Sequence, residues 1–182
     1  RNGGCYIVNN TMRKIVLVTC GFDPIHSGHI EYLKSAKKLG DILIVGVNSD
    51  DWLTRKKGRP FMHITERTTL IENLKMVDHV ILFNDDDNTA IEAIKNVKAL
   101  YPHETVVFAN GGDRTKENIP EMVFEDVEFV FGVGGENKVN SSSWILEEWK
   151  SPKTERPWGW YRVLEDKKNY KIKELVIEPG KR

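Results

Sequence analysis

The chain has 182 residues and a mass of 20.9 kDa, with 27 Lys and Arg balancing 27 Asp and Glu. That length suits one hydrophobic core with a small appendage, and 40% hydrophobic with 30% charged residues excludes wholesale disorder. A zero formal charge argues against a protein that binds nucleic acid chiefly by neutralising phosphates, and two cysteines exclude both a disulfide framework and a four-cysteine zinc site.

Residues 1–13 read as a lead-in segment, since the chain opens on Arg1 without a signal-peptide pattern and Met12 stands just before the first apolar run. No apolar run is long enough to span a bilayer, so no membrane association is expected and the expected compartment is the cytoplasm. Ile15-Val16-Leu17-Val18 then reads as a buried strand. Ile30, Leu33 and Ala36 at helical spacing predict a helix that Gly40 closes. Ile42 to Val45 is a second strand, residues 48–60 a loop, and Thr65 the expected cap of a helix carrying Leu70, Ile71, Leu74 and Val77. A strand at residues 80–83, a helix at about 89–100, and strands at 105–108 and 127–131 follow.

Strands apolar on both faces and separated by helices define an α/β fold, a Rossmann-like doubly wound parallel sheet. Ligands in such sheets bind beyond the carboxyl ends of the strands, here the loops at residues 20–28, 48–60 and 110–114. Four of the five tryptophans lie after residue 140, and Ser151-Pro152-Lys153-Thr154 reads as a linker. Two strands, residues 160–164 and 170–177, then form a short C-terminal β appendage. The expected organisation is residues 14–150 as the main domain and 151–182 as linker and hairpin.

The most informative stretch is Gly21-Phe22-Asp23-Pro24-Ile25-His26-Ser27-Gly28-His29, between the first strand and the first helix. His26 and His29 can face one ligand, Gly28 lets a phosphate approach the backbone, and the helix start contributes positive potential. Two imidazoles there can donate to phosphoryl oxygens as charge builds on them. The bland alternative is a pair of surface histidines around a turn glycine.

This segment resembles the His-x-Gly-His signature of the nucleotidyltransferase superfamily, which includes cytidylyltransferases and adenylyltransferases. Val47-Asn48-Ser49-Asp50-Asp51, then Lys57-Gly58-Arg59-Pro60, is similar to the second-strand loop of the small cytidylyltransferase-like enzymes. The nearest pattern is the adenylyltransferase domain of ADP-heptose synthesis, together with glycerol-3-phosphate cytidylyltransferase. Thr65-Glu66-Arg67, Gly111-Gly112-Asp113 and Asn140-Ser141-Ser142-Ser143 resemble further elements of that family, in its order. Taken singly, each has a plain reading: a solvated basic loop at Arg55-Lys56-Lys57, an ordinary turn, a helix cap.

The resemblance implies transfer of CMP or AMP from CTP or ATP to a phosphorylated acceptor, a sugar or polyol phosphate, with release of pyrophosphate. It implies His26 and His29 on the α- and β-phosphates and Lys57 on the transition-state charge. Gly21, Phe22, Asp23, Gly28 and Arg67 would shape the phosphate site. Gly112 and Asp113 would lie near nucleoside or acceptor, and Ser141, Ser142 and Ser143 near the outer phosphates. Mg²⁺ is expected on the nucleotide phosphates with no protein-held metal site, and the assembly is expected to be a homodimer. Cys20 stands where many relatives have glycine, and Trp144 follows the serine run, so the base and the acceptor stay open. The alternatives are adenylyl transfer to a cofactor precursor, such as a flavin or pantetheine phosphate, and a non-catalytic nucleotide-binding assembly module. The tail from Glu155 resembles the opening of the cupin domain in mannose-6-phosphate-isomerase-type proteins.

Overall fold

A computed structural model describes residues 12–112, 114–135 and 140–181. The chain divides into two compact units, residues 1–139 and 140–182.

In the first unit, β1 (Lys14–Cys20), β2 (Ile42–Val47), β3 (His79–Leu82), β4 (Thr105–Ala109) and β5 (Glu128–Val130) form one sheet in the order β3-β2-β1-β4-β5, every pair parallel. The central strand β1 shows why the sequence folds this way. Ile15, Val16, Leu17 and Val18 are all fully buried, and alternation sends them to opposite faces. Val16 and Val18 join a core with Leu33 and Ala36 of α1 (Ser27–Lys37) and Ile71 of α3 (Ile64–Glu72). Ile15 and Leu17 join a second core with Ala93, Ile94 and Val97 of α4 (Ile91–Leu100). Helices thus cover both faces, as the apolar strands require.

The order reverses at the β1–β4 pair, so the loops leaving these two strands flank the crevice where such sheets take ligands. Two expectations change in this unit. Residues 50–57 are helical rather than a loop: α2 (Asp50–Lys57) starts at Ser49, whose hydroxyl accepts from Trp52 N at 2.9 Å. Asp50 and Asp51 lie in its first turn and three basic residues in its last, both favourable to the helix dipole. Thr65 does not cap α3. His63 holds the cap position without a side-chain cap bond, and Asp50 of α2 accepts from Ile64 N at 3.2 Å instead.

In the second unit, α5 (Ser142–Lys150) precedes a three-stranded antiparallel sheet, β6 (Thr154–Arg156), β7 (Gly159–Lys167) and β8 (Tyr170–Ile177). The compact division therefore falls ahead of α5 rather than at residue 150, and the tail has one strand more than a hairpin. Thr154, read as linker, opens β6 opposite Tyr161. Among the described residues, no helix is long and apolar enough to cross a membrane.

Candidate active site

The loop from β1 to α1 brings the two histidines together. Their rings stack with centroids 3.8 Å apart and planes 26° from parallel, and Phe22 meets His29 edge-on at 5.0 Å. His26 is the N-cap of α1, and its Nδ1 accepts from Gly28 N at 3.1 Å. That bond leaves the proton of the neutral ring on Nε2, the nitrogen able to donate. The amide of Gly28 is thus satisfied by the motif's own imidazole.

His29 is partly buried, and desolvation lowers its pKa to about 4, so the ring is neutral near pH 7. Its buried Nδ1 has no hydrogen-bond partner among the described residues, and Nε2 lies 3.5 Å from Cys20 Sγ. Stacked rings at this separation also disfavour simultaneous protonation, because two cations would repel. His29 therefore stands as a neutral ring that a bound anion would favour charging.

Lys57, in the last turn of α2, is held against the same loop. Its ammonium donates to the Asp23 carbonyl at 2.6 Å and lies 2.5 Å from Asp23 Oδ2. Asp23 is 2% exposed, and its carboxylate also accepts from Phe61 N at 2.8 Å and Met62 N at 2.7 Å. One buried carboxylate thus fixes the lysine and the segment after α2. The role expected of Asp23 changes accordingly: its oxygens are engaged within the protein, so it positions Lys57 rather than meeting a ligand phosphate.

Arg67 requires a similar correction. It is fully buried, and its guanidinium donates to the carbonyls of Gly21 and Asn48, both at 2.7 Å, to Met62 O at 3.0 Å and to Asp50 Oδ1 at 2.6 Å. Its donors face protein acceptors, so Arg67 ties three loops together instead of presenting charge to a phosphate. Burial pulls the Asp50 carboxyl upward, but bonds from Arg67, Ile64 N and His63 outweigh it and hold the group below the usual carboxylate range. Gly21 is constrained by packing, since a Cβ there would stand 2.9 Å from Leu53 Cδ2 of α2.

Sequence reasoning did not single out Asp85, yet it belongs to this scaffold. It is 2% exposed and accepts from Asn48 Nδ2, Ser49 N and Ser49 Oγ at 3.0, 2.8 and 2.6 Å. Nothing local marks it among the neighbouring acids Asp86 and Asp87. Beyond β4, Gly111 packs where a Cβ would lie 2.9 Å from Val133 O and 3.0 Å from Tyr32 Cδ2. Gly112 has φ +67, and Asp113 lies outside the described residues. In the second unit, Ser141 Oγ caps α5 by accepting from Trp144 N at 3.2 Å, with Ser142 and Ser143 in the first turn. Ser141 therefore has its plain capping role.

Among the described residues, no group of three or more His, Cys, Asp or Glu could hold a metal ion. The donor set of the site is imidazole, ammonium and amide, and its buried carboxylate is spent on Lys57 and two amides. These residues do not fit a protein-held Mg²⁺.

A parallel sheet carrying paired histidines at its first helix start and a lysine clamped to the same loop defines a Rossmann-like nucleotidyltransferase enzyme. Over residues 17–171 the chain matches the cytidylyltransferase-like family, and it belongs to that family. It is 36% identical over 144 residues to the bifunctional protein HldE of Pelobacter propionicus and 37% identical over 142 residues to that of Nitratiruptor sp.. These matches cover 75% and 76% of the chain but only 28% of each relative's length. Among solved structures it is similar to a lipopolysaccharide core biosynthesis protein from Thermoplasma volcanium, with a TM-score of 0.51 and 29% identity, covering 65% of this chain and 95% of that one. A nicotinate-nucleotide adenylyltransferase-type structure from Vibrio parahaemolyticus shares the fold at a TM-score of 0.51 and 14% identity, covering 75% of this chain and 86% of that one.

Proposed function

We propose that the chain transfers a nucleotidyl group from CTP or ATP to a sugar phosphate or polyol phosphate, releasing pyrophosphate. The observation that carries this reading is the stacked His26–His29 pair at the start of α1, with Lys57 held against the same loop by Asp23. A sugar-phosphate acceptor is supported by the resemblance of the site segments to the adenylyltransferase domain of ADP-heptose synthesis and by the likeness to a lipopolysaccharide core biosynthesis protein.

An oxygen of the acceptor phosphate attacks the α-phosphorus, and the bond from that phosphorus to the oxygen bridging to the β-phosphate breaks. The electron pair of that bond leaves with pyrophosphate. No covalent bond to the protein is required, so the chain's work is positioning and stabilisation of charge. His26 and His29 donate to oxygens on the α- and β-phosphates. Lys57 supplies the fixed positive charge, kept from swinging into solvent by Asp23. Mg²⁺ would arrive on the nucleotide's phosphates, where it needs few protein ligands, and would neutralise the pyrophosphate charge.

The test is pyrophosphate release from CTP and from ATP with glycerol 3-phosphate, hexose 1-phosphates, flavin mononucleotide and pantetheine 4′-phosphate as separate acceptors. Turnover confined to the sugar and polyol phosphates supports the proposal, and turnover confined to the cofactor precursors replaces it. Nucleotide binding without turnover would instead support an assembly module.

We also propose that the chain forms a homodimer and that its tail from Glu155 is akin to the opening strands of a cupin-type domain. Exposed Leu164, Leu175, Val176 and Ile177 on β7 and β8 support an interaction role for that ribbon. Light scattering coupled to size exclusion tests the dimer; a monomer mass at tens of micromolar would retire it.

A further inference from the structure

A second feature of the first unit is not used by the reaction loop. Trp52, Arg55 and Lys56 of α2 and Asn88, in the loop after β3, line a cleft of about 340 Å³, the lower end of the range for small-molecule sites. Arg55 is internally satisfied: Nη2 donates to Asp85 O at 2.6 Å, Nε donates to Asn88 Oδ1 at 3.1 Å, and the Asp85 and Asp86 carboxylates lie 3.8 and 3.9 Å away. Lys56 is different. Its ammonium lies 4.4 Å from the centroid of the Trp52 ring, and among the described residues no carboxylate is within ion-pair range of it. Asn88 stands at φ +62 with its side-chain oxygen given to Arg55, which leaves the amide N–H₂ as its donor. The cleft thus combines an indole, an ammonium that rests on it with no carboxylate partner among the described residues, and an amide donor.

Its place in the sheet gives it meaning. α2 follows β2 and Asn88 follows β3, so the cleft lies on the opposite side of β1 from β4 and β5. The reaction loop leaves β1 between the two halves, and Trp52 borders it: a Cβ on residue 21 would be 3.4 Å from Trp52 Cζ3. A transfer reaction needs two bound reactants flanking its catalytic loop. One cation without a carboxylate partner among the described residues, in a small cleft, is too little for a triphosphate but suits an uncharged, hydroxylated carbon skeleton.

We infer that the cleft of Trp52, Lys56 and Asn88 binds the sugar or polyol portion of the acceptor, with its phosphate directed to the His26–His29 loop. The C–H face of the acceptor lies on the indole, and Lys56 and Asn88 donate to its hydroxyls. The inference rests on the transferase reading and adds the residues that select the acceptor. Lys56 and Asn88 are both exposed, so discrimination against acceptors that lack hydroxyls comes from the lost hydrogen bonds alone and is moderate.

The experiment compares wild type with Lys56→Gln, Asn88→Ala and Trp52→Phe, using glycerol 3-phosphate, glucose 1-phosphate and the hydroxyl-free analogue propyl phosphate. Lys56→Gln and Asn88→Ala are expected to raise the acceptor KM at least roughly fivefold and to shrink the preference for hydroxylated acceptors over propyl phosphate. The KM for the nucleotide should stay within about twofold. Trp52 is the one tryptophan of the first unit, so acceptor binding without nucleotide should quench a fluorescence component that Trp52→Phe lacks. A raised nucleotide KM with an unchanged acceptor KM would assign the cleft to the nucleotide and overturn the inference, as would unaltered acceptor selectivity in active variants. If wild type turns over no acceptor at all, the transferase reading falls first; an intact transferase with insensitive variants sinks only the cleft assignment.

Discussion

His29 does two things that oppose each other in the unliganded protein: it supplies a donor, and it sits where its own charge is disfavoured. His29→Ala should lower kcat at least roughly a hundredfold, the loss expected for one transition-state donor, measured as pyrophosphate release at saturating substrates. The same residue makes a pH prediction. Its folded pKa of about 4 lies below the ordinary 6.5, so between these values the unfolded chain binds more protons. The stability contributed by keeping the ring neutral is full above pH 6.5 and is lost as pH falls toward 4. Urea midpoints of wild type should fall across that window, and less steeply in His29→Asn. A nucleotide phosphate beside the ring would favour its charged form, so nucleotide binding near pH 5.5 should take up a proton. Calorimetry in buffers of differing ionisation heat measures this. Lys57 and Asp23 give a second residue-level test. Lys57→Met leaves a buried carboxylate without its cation and should cost about 1–3 kcal/mol in urea denaturation, and Lys57→Met with Asp23→Asn should recover part of it.

At the scale of elements, the site is made by one short helix and the arginine beneath it. Ser49→Ala removes the cap of α2 and one of the groups on Asp85, so it should cost about 1–2 kcal/mol by denaturant titration. Arg67→Met strands three carbonyls and Asp50, and a cost of about 3–5 kcal/mol is expected. These elements also show what the sequence could and could not disclose. The histidine motif was legible because its parts are contiguous, and β1, β2 and β4 because their apolar runs are continuous. α2 was not, since Leu53 is its single buried residue and a helix so polar shows no apolar stripe. The part played by Arg67 was hidden for another reason: its partners at Gly21 and Asn48 are 46 and 19 residues away, and an arginine in a sequence carries no sign that it is buried. β6, three residues of polar character, has no pattern to read.

For the whole molecule, the even charge total conceals an uneven arrangement. Histidines, lysine and helix start gather at one end of the parallel sheet, while acidic residues such as Asp23, Asp50 and Asp85 serve inside it as ties. The first unit carries both cores, on the two faces of one sheet. A chain ending at Val139 should therefore fold alone, with a single cooperative urea transition by far-ultraviolet circular dichroism. A broad, non-cooperative transition in that fragment would show that the second unit is needed to complete the fold.

The burial of Arg67 has a consequence for chemistry performed on the protein from outside. A guanidinium with no exposed surface is unreachable by arginine-selective reagents such as phenylglyoxal, whereas exposed arginines like Arg59 react freely. Modification of Arg67, followed by peptide mass spectrometry, thus acts as a clock for how often the three loops come apart. Its half-time, compared with and without nucleotide, reads the opening of the catalytic scaffold directly.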